Sequence, residues 1–455
     1  MVGKGVTIDW KLRPKKCGKR CYVDNDRISQ LPDAILVTIL SFLSMKEAAR
    51  TSVLSSRWIN LWKDFPRLDF DAESALLKIA RDYELHGEES GKYVEWVNRV
   101  IQSHKATTLK EFRVCFDLSR SVKNSITQWL EFALSRHVEK LELDFKTKFE
   151  NSGCEDTHYN FPEKFLKHPS QSSSINFKSL KALSLKCVNV TGEAIEFFLR
   201  NCPSLEKLVV TYTSKLSNLE VCGPSLALKH LDLRFCFRLK SVKVSAPNLI
   251  SLTVPKVEGL LLENVPALVE LSLILTIPYR AVKKKLSTLS CCISQLEILY
   301  LNLDSKVKDI DLPTLPKLKK LAIRYWISGD KSLFGLTPFI RASPNLKEFV
   351  LQLCCCDSTR SDGQVKNTVK FPHEHLKVFK FCGYYGRSSD VELVWCILEN
   401  CVALEKLIID PSYPPTTRSH RPLRPERLVE ERISRVYAKQ QLESQVPQHI
   451  ELVIL

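Results

Sequence analysis

His373-Glu374-His375 puts two imidazoles on one side of an extended segment, the spacing with which a strand offers two nitrogens to a metal ion. No third ligand can be named for them, so a metal is not expected. Sixteen cysteines are the other abundant ligand type. Their spacing does not suit a metal either. Cys17 and Cys21 are four apart, Cys291 and Cys292 are adjacent, Cys354, Cys355 and Cys356 form a run, and no Cys-x-x-Cys occurs. Without a secretory signal, so many thiols are expected to stay reduced in the cytoplasm or nucleus and to pack as small core residues. The sequon Asn189-Val190-Thr191 carries no meaning in that setting. Gly-x-Gly-x-x-Gly, the phosphate-cradling Gly-x-x-x-x-Gly-Lys-Ser/Thr, Gly-x-Ser-x-Gly and His-Glu-x-x-His are all missing. Fourteen glycines are few for a phosphate-cradling enzyme, and no nucleophile pairs with a base. The expectation is a chain with no catalytic residues and no cofactor.

What chemistry remains is recognition, and one stretch organises it: Asp26 to Trp62. Leu31-Pro32 opens a helix, with Pro32 where a helix tolerates it and Asp33 at the positive N-terminal end. Ile35, Leu36, Ile39, Leu40 and Leu43 follow three and four residues apart. With Phe42 they form an apolar band wider than one stripe, so more than one side calls for burial. Ser44-Met45-Lys46-Glu47 is a capping box for a second helix. Ser55 or Ser56 can cap a third, which ends in Trp58, Leu61 and Trp62. Three helices in so short a stretch cannot enclose that much apolar surface alone. Either the rest of this chain or a partner must cover the excess.

In order and spacing, Leu31-Pro32-Asp33, Ile35-Leu36, Ile39-Leu40, Leu43, Val53-Leu54-Ser55-Ser56-Arg57-Trp58 and Leu61-Trp62 resemble the plant form of an F-box. That family docks on a Skp-type adaptor, which hangs from a cullin–RING ubiquitin ligase. The resemblance implies an adaptor-facing set of Leu31, Pro32, Ile35, Leu36, Ile39, Leu40 and Leu43. It places Trp58, Leu61 and Trp62 at the adaptor edge or in the joint to the next domain.

The chain has 455 residues, room for two or three domains and a large core. No run of 18 apolar residues exists, so no membrane span is expected, and the N-terminus has no apolar signal region. Net charge is +16, which suits nucleic acid or an acidic partner. The charge is spread along the chain and alternates with Glu, so a solvated basic surface is the preferred reading and nucleic acid is not expected as the partner. Residues 1–25 read as a disordered basic tail. Its Lys11, Arg13, Lys15, Lys16, Lys19 and Arg20 fit a nuclear localisation signal and a solubilising tail equally well.

After the segment 26–66, Phe65 to Asp71 alternates like a strand. A polar stretch with Gly87 and Gly91 reads as a loop. Tyr93, Val94, Val97, Val100 and Ile101, with Trp96 alongside, have helical spacing. The chain then repeats itself. Apolar-x-x-apolar-x-apolar units start at Leu109, Val138, Leu180, Leu205, Leu228, Leu249, Leu268, Leu296, Leu318, Leu346, Leu376 and Leu404, mostly 19 to 30 residues apart. A tighter form decides that this is no accident: Leu, then Lys or Glu, then Lys, Glu or His, then Leu or Phe. It occurs at Leu109, Leu205, Leu228, Leu318, Leu346 and Leu404, where chance would supply on the order of one or fewer. Each unit is a short strand with alternate side chains turned inward. Helical segments at 126–134, 192–201 and 391–400 lead into some of them. Between Leu205 and Leu273 extra half-step strands, LSNLEV, LKSVKV and VEGLLL, replace the helices.

These units resemble the irregular leucine-rich repeats found behind plant F-boxes. From Phe371 onward, Gly383-Tyr384-Tyr385-Gly386, a helix to Asn400 and a strand to Asp410-Pro411 resemble the FBD module of the same proteins. A Pro/Arg-rich stretch, Pro411 to Pro425, reads as a linker. Glu430 to Leu442 is helix-like, and Ile450 to Leu455 is strand-like and best paired within the fold. The expected architecture is therefore α/β: a three-helix F-box (26–66), a leucine-rich-repeat solenoid with parallel strands on its concave face (67–370), and an FBD-like cap (371–455). The function the resemblance implies is substrate recognition within a ubiquitin ligase, with the adaptor at one end and an unknown target protein on the repeats. The alternatives are a repeat scaffold binding nucleic acid, or one binding a small-molecule signal.

Overall fold

The structure, a computed structural model, describes residues 28, 30–53, 57–58, 60–118, 120–145, 158–166, 177–223, 226–274, 277, 282–304, 312–327, 329–355, 370–412 and 425–455. The basic tail and most of the Pro/Arg-rich stretch lie outside the described residues. The chain divides into two compact units, Met1–Trp62 and Lys63–Leu455.

The first unit holds two helices, α1 (Asp33–Leu40) and α2 (Met45–Arg50). Pro32 sits one position before α1, in extended conformation, and Asp33 occupies its first turn. The capping box of α2 forms as the sequence requires. Ser44 Oγ accepts from the Glu47 N–H at 3.3 Å, and the Ser44 N–H donates to Glu47 Oε2 at 3.0 Å. The 3₁₀ turn Thr51–Val53 follows α2 directly, and where the expected third helix is described it holds only the 3₁₀ turn Leu61–Asp64. Residues 54–56, including the expected caps Ser55 and Ser56, lie outside the described residues.

The second unit is built on parallel strands. They begin with β1 (Arg67–Asp71), β2 (Glu111–Cys115), β3 (Lys140–Asp144), β4 (Tyr159–Asn160), β5 (Ala182–Lys186) and β6 (Val188–Asn189). They continue as β7 (Lys207–Thr211), β8 (Asn218–Cys222), β9 (His230–Asp232), β10 (Ser241–Ser245), β11 (Ser251–Val254), β12 (Leu260–Leu262) and β13 (Glu270–Leu273). The last are β14 (Ile298–Asp304), β15 (Lys320–Ile327), β16 (Glu348–Cys355), β17 (Val378–Cys382), β18 (Lys406–Asp410) and β19 (Glu451–Ile454). Fourteen of them form one parallel sheet in chain order, skipping only β4, β6, β8, β10 and β12. Every one of the twelve repeat units is a strand of that sheet, flanked by β1 and β19. The half-step strands form their own three-stranded sheet, ordered β12-β10-β8.

The reason for the repeat is visible in the register. Leu68, Phe112, Leu141, Leu183, Leu208 and Leu231 stand side by side on consecutive strands, and all are buried. One rung alone could not bury such a side chain; its neighbours on both sides do so. The row ends on β19, where Leu452 is only half-buried.

Helices connect the strands: α3 (Glu73–Arg81), α4 (His86–Ser103), α5 (Lys123–Ser135), α6 (Gly192–Asn201), α7 (Val282–Ser287), α8 (Ser290–Ile293), α9 (Thr337–Arg341), α10 (Ser388–Asn400) and α11 (Pro425–Leu442). The Thr191 hydroxyl caps α6 by accepting from the Ala194 N–H at 3.3 Å. One expectation fails here. The polar stretch with Gly87 and Gly91 is the first half of α4 rather than a loop. Both glycines point into open space, Glu88 and Glu89 favour the helix N-terminus, and Lys92 pairs with Glu88 at 2.6 Å. Burial of Tyr93, Val97 and Val100 one face further on carries the helix through. No helix of the described residues is long and apolar enough to cross a membrane.

The three strands β17–β19 continue the sheet without a break. Between β17 and α10 the chain turns through Gly383 and Gly386, both at positive φ. Tyr384 donates its hydroxyl to Gln441 Oε1 at 2.8 Å, and Gln441 Nε2 donates to the Gly386 carbonyl at 3.1 Å. These bonds tie α11 to the turn.

Candidate functional site

The first candidate surface lies on α1. Leu36 and Leu40 are buried at 0% and 1% exposure, beside buried Ala48, Trp58 and Leu61. Ile35, Ile39 and Leu43 are 47%, 41% and 42% exposed, and Phe42 is 82% exposed. Ile35 and Ile39 share one flank of α1, one step round the helix from Leu36 and Leu40, and Phe42 and Leu43 follow in the turn after it. The wide apolar band is thus split: part of it is buried and part meets water. Val53 and Ile28 add further exposed apolar surface.

Of the expected adaptor-facing set, Leu36 and Leu40 are buried in the free chain. Pro32 is exposed, and Leu31 and Trp62 are half-buried. Trp58 and Leu61 are buried. Two features went unread in the sequence. Arg57 makes an ion pair with Asp33 at 2.6 Å and donates to the Leu31 carbonyl, which fixes the start of α1. No local signal in the sequence joins residues so far apart. The exposure of Val53 depends on a turn the sequence did not announce.

The second candidate surface is the solvent side of the main sheet. One row crosses it: Asp69, Arg113, Glu142, Ser184, Val209, Asp232, then Thr253, Ser272, Tyr300, Ala322, Val350 and Lys380, closing with Ile408 and Val453. Its character changes along the sheet. At the β1 end the charges answer one another. Arg113 Nη1 lies 3.0 Å from Asp69 and 2.8 Å from Asp71, and Lys186 Nζ lies 2.7 Å from Glu142 and 3.4 Å from Asp144. Burial raises the Asp69 carboxyl above its ordinary pKa in spite of Arg113. Hydroxyls occupy the middle, where the strands crowd together and Val209, Thr253 and Ser272 are themselves buried, as are Ala322 and Val350 further along. Toward the other end Tyr300, Ala322 and Val350 are flanked by two polar pairs. Trp326 Nε1 donates to Asn302 Oδ1 at 2.7 Å, and Arg324 Nη2 donates to Gln352 Oε1 at 3.0 Å. A surface that mixes charge, hydroxyl and aromatic groups in this way suits protein recognition.

The groups that could have done metal or thiol chemistry have other work. His373 Nε2 bonds the Ser343 carbonyl at 2.9 Å, and its Nδ1 accepts from the Leu376 N–H at 3.1 Å. His375 Nδ1 meets the Pro344 carbonyl at 3.1 Å. The imidazoles therefore fasten the turn before β17 to the preceding repeat. Of eleven free cysteines among the described residues, nine are buried. Burial pushes the thiols of Cys202 and Cys236 up to about 12, which leaves them protonated and inert at neutral pH.

Comparison with known proteins gives the same two parts. Residues 28–70 match the F-box domain, and residues 100–455 match the family described as At1g61320/AtMIF1, LRR domain. Three relatives are from Arabidopsis thaliana. The F-box/FBD/LRR-repeat protein At4g00160 is 38% identical over 200 residues, 42% of each chain. The putative F-box/FBD/LRR-repeat protein At3g49030 is 30% identical over 412 residues, 84% of this chain and 87% of the relative. The putative F-box/FBD/LRR-repeat protein At4g13965 is 28% identical over 421 residues, 87% of this chain and 92% of the relative.

Proposed function

Because the chain belongs to the F-box/FBD/LRR-repeat family, we propose that it is the substrate-recognition subunit of a cullin–RING ubiquitin ligase. Its first unit docks on a Skp-type adaptor, and through it on a cullin. The solvent side of the repeat sheet holds a target protein. Residues 371–455, whose strands extend the sheet, close off the repeats. The chain supplies no chemistry: it raises the effective concentration of the target's lysines near a ubiquitin-charged enzyme. The reading places it in the cytoplasm or nucleus, where its thiols stay reduced.

One observation carries the proposal. Ile35 and Ile39 on α1, with Phe42 and Leu43 in the turn after it, leave apolar surface in water while Leu36 and Leu40 are buried. A monomer does not gain from such a surface; a complex does. Leu31, Pro32, Ile35, Ile39 and Leu43 are the adaptor-facing side chains of this reading, and Leu36, Leu40, Trp58, Leu61 and Trp62 hold them in place.

The test is co-purification of a Skp-type adaptor with the full chain and with Ile35→Asp/Ile39→Asp. Both positions are exposed, so the double variant is expected to fold and to lose the adaptor. Undiminished adaptor binding by the folded variant overturns the proposal.

A further inference from the structure

A recessed site lies on the rim of the repeats, where three successive strands of the main sheet end. The loops after β7, β9 and β11 converge on a cleft of about 500 Å³ lined by Ser214, Ser217, Phe237, Arg238, Lys240 and Lys256, with Leu239 beneath. The carboxyl ends of parallel strands are where an α/β sheet gathers loops around a ligand.

The lining is one-sided in charge. It holds three cations and no carboxylate. The acids nearest in sequence are engaged elsewhere: Glu258 pairs with Lys285 at 2.7 Å while also feeling Lys256, Glu220 pairs with Lys243 at 3.7 Å, and Asp232 pairs with Arg234 at 2.6 Å. Among the described residues, no carboxylate lies within ion-pairing distance of Lys240 or Lys256. Ser217 Oγ accepts from Asn218 Nδ2 at 3.4 Å, which leaves its proton free to donate into the cleft. The Ser214 hydroxyl is turned to Asn189 Oδ1 at 2.9 Å and acts as wall.

The loops are held in shape. The Lys240 N–H donates to the Ser217 carbonyl at 2.7 Å, so two of the three loops are bonded together. Of the four non-glycine residues with positive φ among the described residues, Tyr212 and Phe235 both belong to these loops. Their rings stack at 4.5 Å, and Phe237 continues the group at 6.1 Å while remaining 58% exposed. Backbone strain of this kind persists where surroundings enforce it, and it concentrates at ligand sites.

We propose that this cleft binds a phosphate monoester dianion. A carboxylate or a phosphodiester brings one charge and two free oxygens, whereas a monoester brings nearly two charges and three oxygens. Lys240 and Lys256, with a hydroxyl donor beside them, match the monoester. The exposed Phe237 ring gives the carbon part of the ligand an apolar contact. The monoester has two possible sources, a phosphorylated side chain on a bound protein or a free small-molecule phosphate. The site goes beyond the ligase reading and does not depend on it, since adaptor docking involves other residues.

The experiment uses the full chain and titrates four probes: a phosphoserine/phosphothreonine peptide pool, its unphosphorylated counterpart, inorganic phosphate, and a single-stranded oligonucleotide. Saturable binding of the phosphopeptide pool alone supports the side-chain source. Saturable binding of inorganic phosphate that competes with the pool supports the small-molecule source. In either case Lys240→Glu/Lys256→Glu is expected to weaken the bound monoester by roughly tenfold or more. The milder Lys256→Met gives the same direction should the double variant fail to fold. Absence of saturable monoester binding, unchanged affinity in the folded variants, or a preference for the oligonucleotide or the unphosphorylated pool overturns the proposal.

Discussion

Arg387 Nη2 lies 2.8 Å from Asp390 Oδ1, and both side chains are wholly shielded from solvent. The pair sits at the start of α10, just past the turn made by Gly383 and Gly386. Asp390 Oδ2 also accepts the N–H groups of Tyr385 at 2.9 Å and Arg387 at 3.2 Å. One carboxylate therefore answers a buried guanidinium and two buried backbone donors. Burial pushes the Asp390 carboxyl above its ordinary pKa, with Arg387 pulling the other way.

Removing Arg387 leaves that carboxylate buried and uncompensated. Arg387→Met is expected to cost roughly 3–5 kcal/mol of unfolding free energy, measured by denaturant titration. The deficit should shrink on acidification. With its cation gone, Asp390 favours the protonated form in the folded state, a contribution present at low pH and lost as pH rises through its raised folded pKa. A deficit that does not change with pH would show that the ion pair is not what holds the turn.

Gly383 has φ of +79°, and a Cβ there would stand 2.3 Å from the Leu353 carbonyl oxygen. Gly383→Ala must carry both the left-handed backbone cost, about 1–2 kcal/mol, and a clash with backbone that cannot swing away. Gly329, also at positive φ, has open space around it, so Gly329→Ala should show the backbone cost alone. Equal losses in the two variants would mean that the approach to Leu353 relaxes freely.

His104 is buried, with Nε2 on the Phe65 carbonyl at 2.9 Å, and Nδ1 has no hydrogen-bond partner among the described residues. Burial lowers its pKa below the ordinary 6.5; the Phe65 bond raises it and Arg136 lowers it further. The unfolded chain therefore takes up the proton first as pH falls. The contribution of neutral His104 is complete above about pH 6.5 and is lost progressively below it. His104→Gln, which keeps a donor and cannot titrate, should flatten the fall in stability between about pH 7.5 and 5.5. An unchanged slope would assign that fall to other groups.

Much of this fold was legible because burial imposes a period. Leu109 through Leu404 announced twelve strands, and LSNLEV, LKSVKV and VEGLLL announced the smaller sheet, since each strand must turn alternate residues to its neighbours. The start of α4 was not legible. Gly87 and Gly91 argue locally against a helix, and what overrides them is the packing of Tyr93 and Val97, which lies outside that window. At the candidate site the apolar band on α1 could be read, but its division could not. Ile35 and Leu36 are neighbours of like chemistry, and only the tertiary structure says which of them meets water. The rim cleft was invisible for a related reason: Ser217, Lys240 and Lys256 come from three different repeats, joined by register rather than by sequence.

That division on α1 can be tested by separating stability from binding. Leu36→Ala empties a fully buried position and should cost roughly 2–5 kcal/mol. Ile39→Ala removes a side chain that is 41% exposed and should change stability by no more than about 0.5 kcal/mol. Adaptor affinity is expected to run the other way round: Ile39→Ala weakens it directly, whereas Leu36→Ala weakens it only as far as the unit unfolds. Thermal unfolding and adaptor titration on both variants at one low temperature separate the two effects. If Ile39→Ala destabilised the chain as much as Leu36→Ala, residue 39 would be core, and α1 would have no free flank to offer.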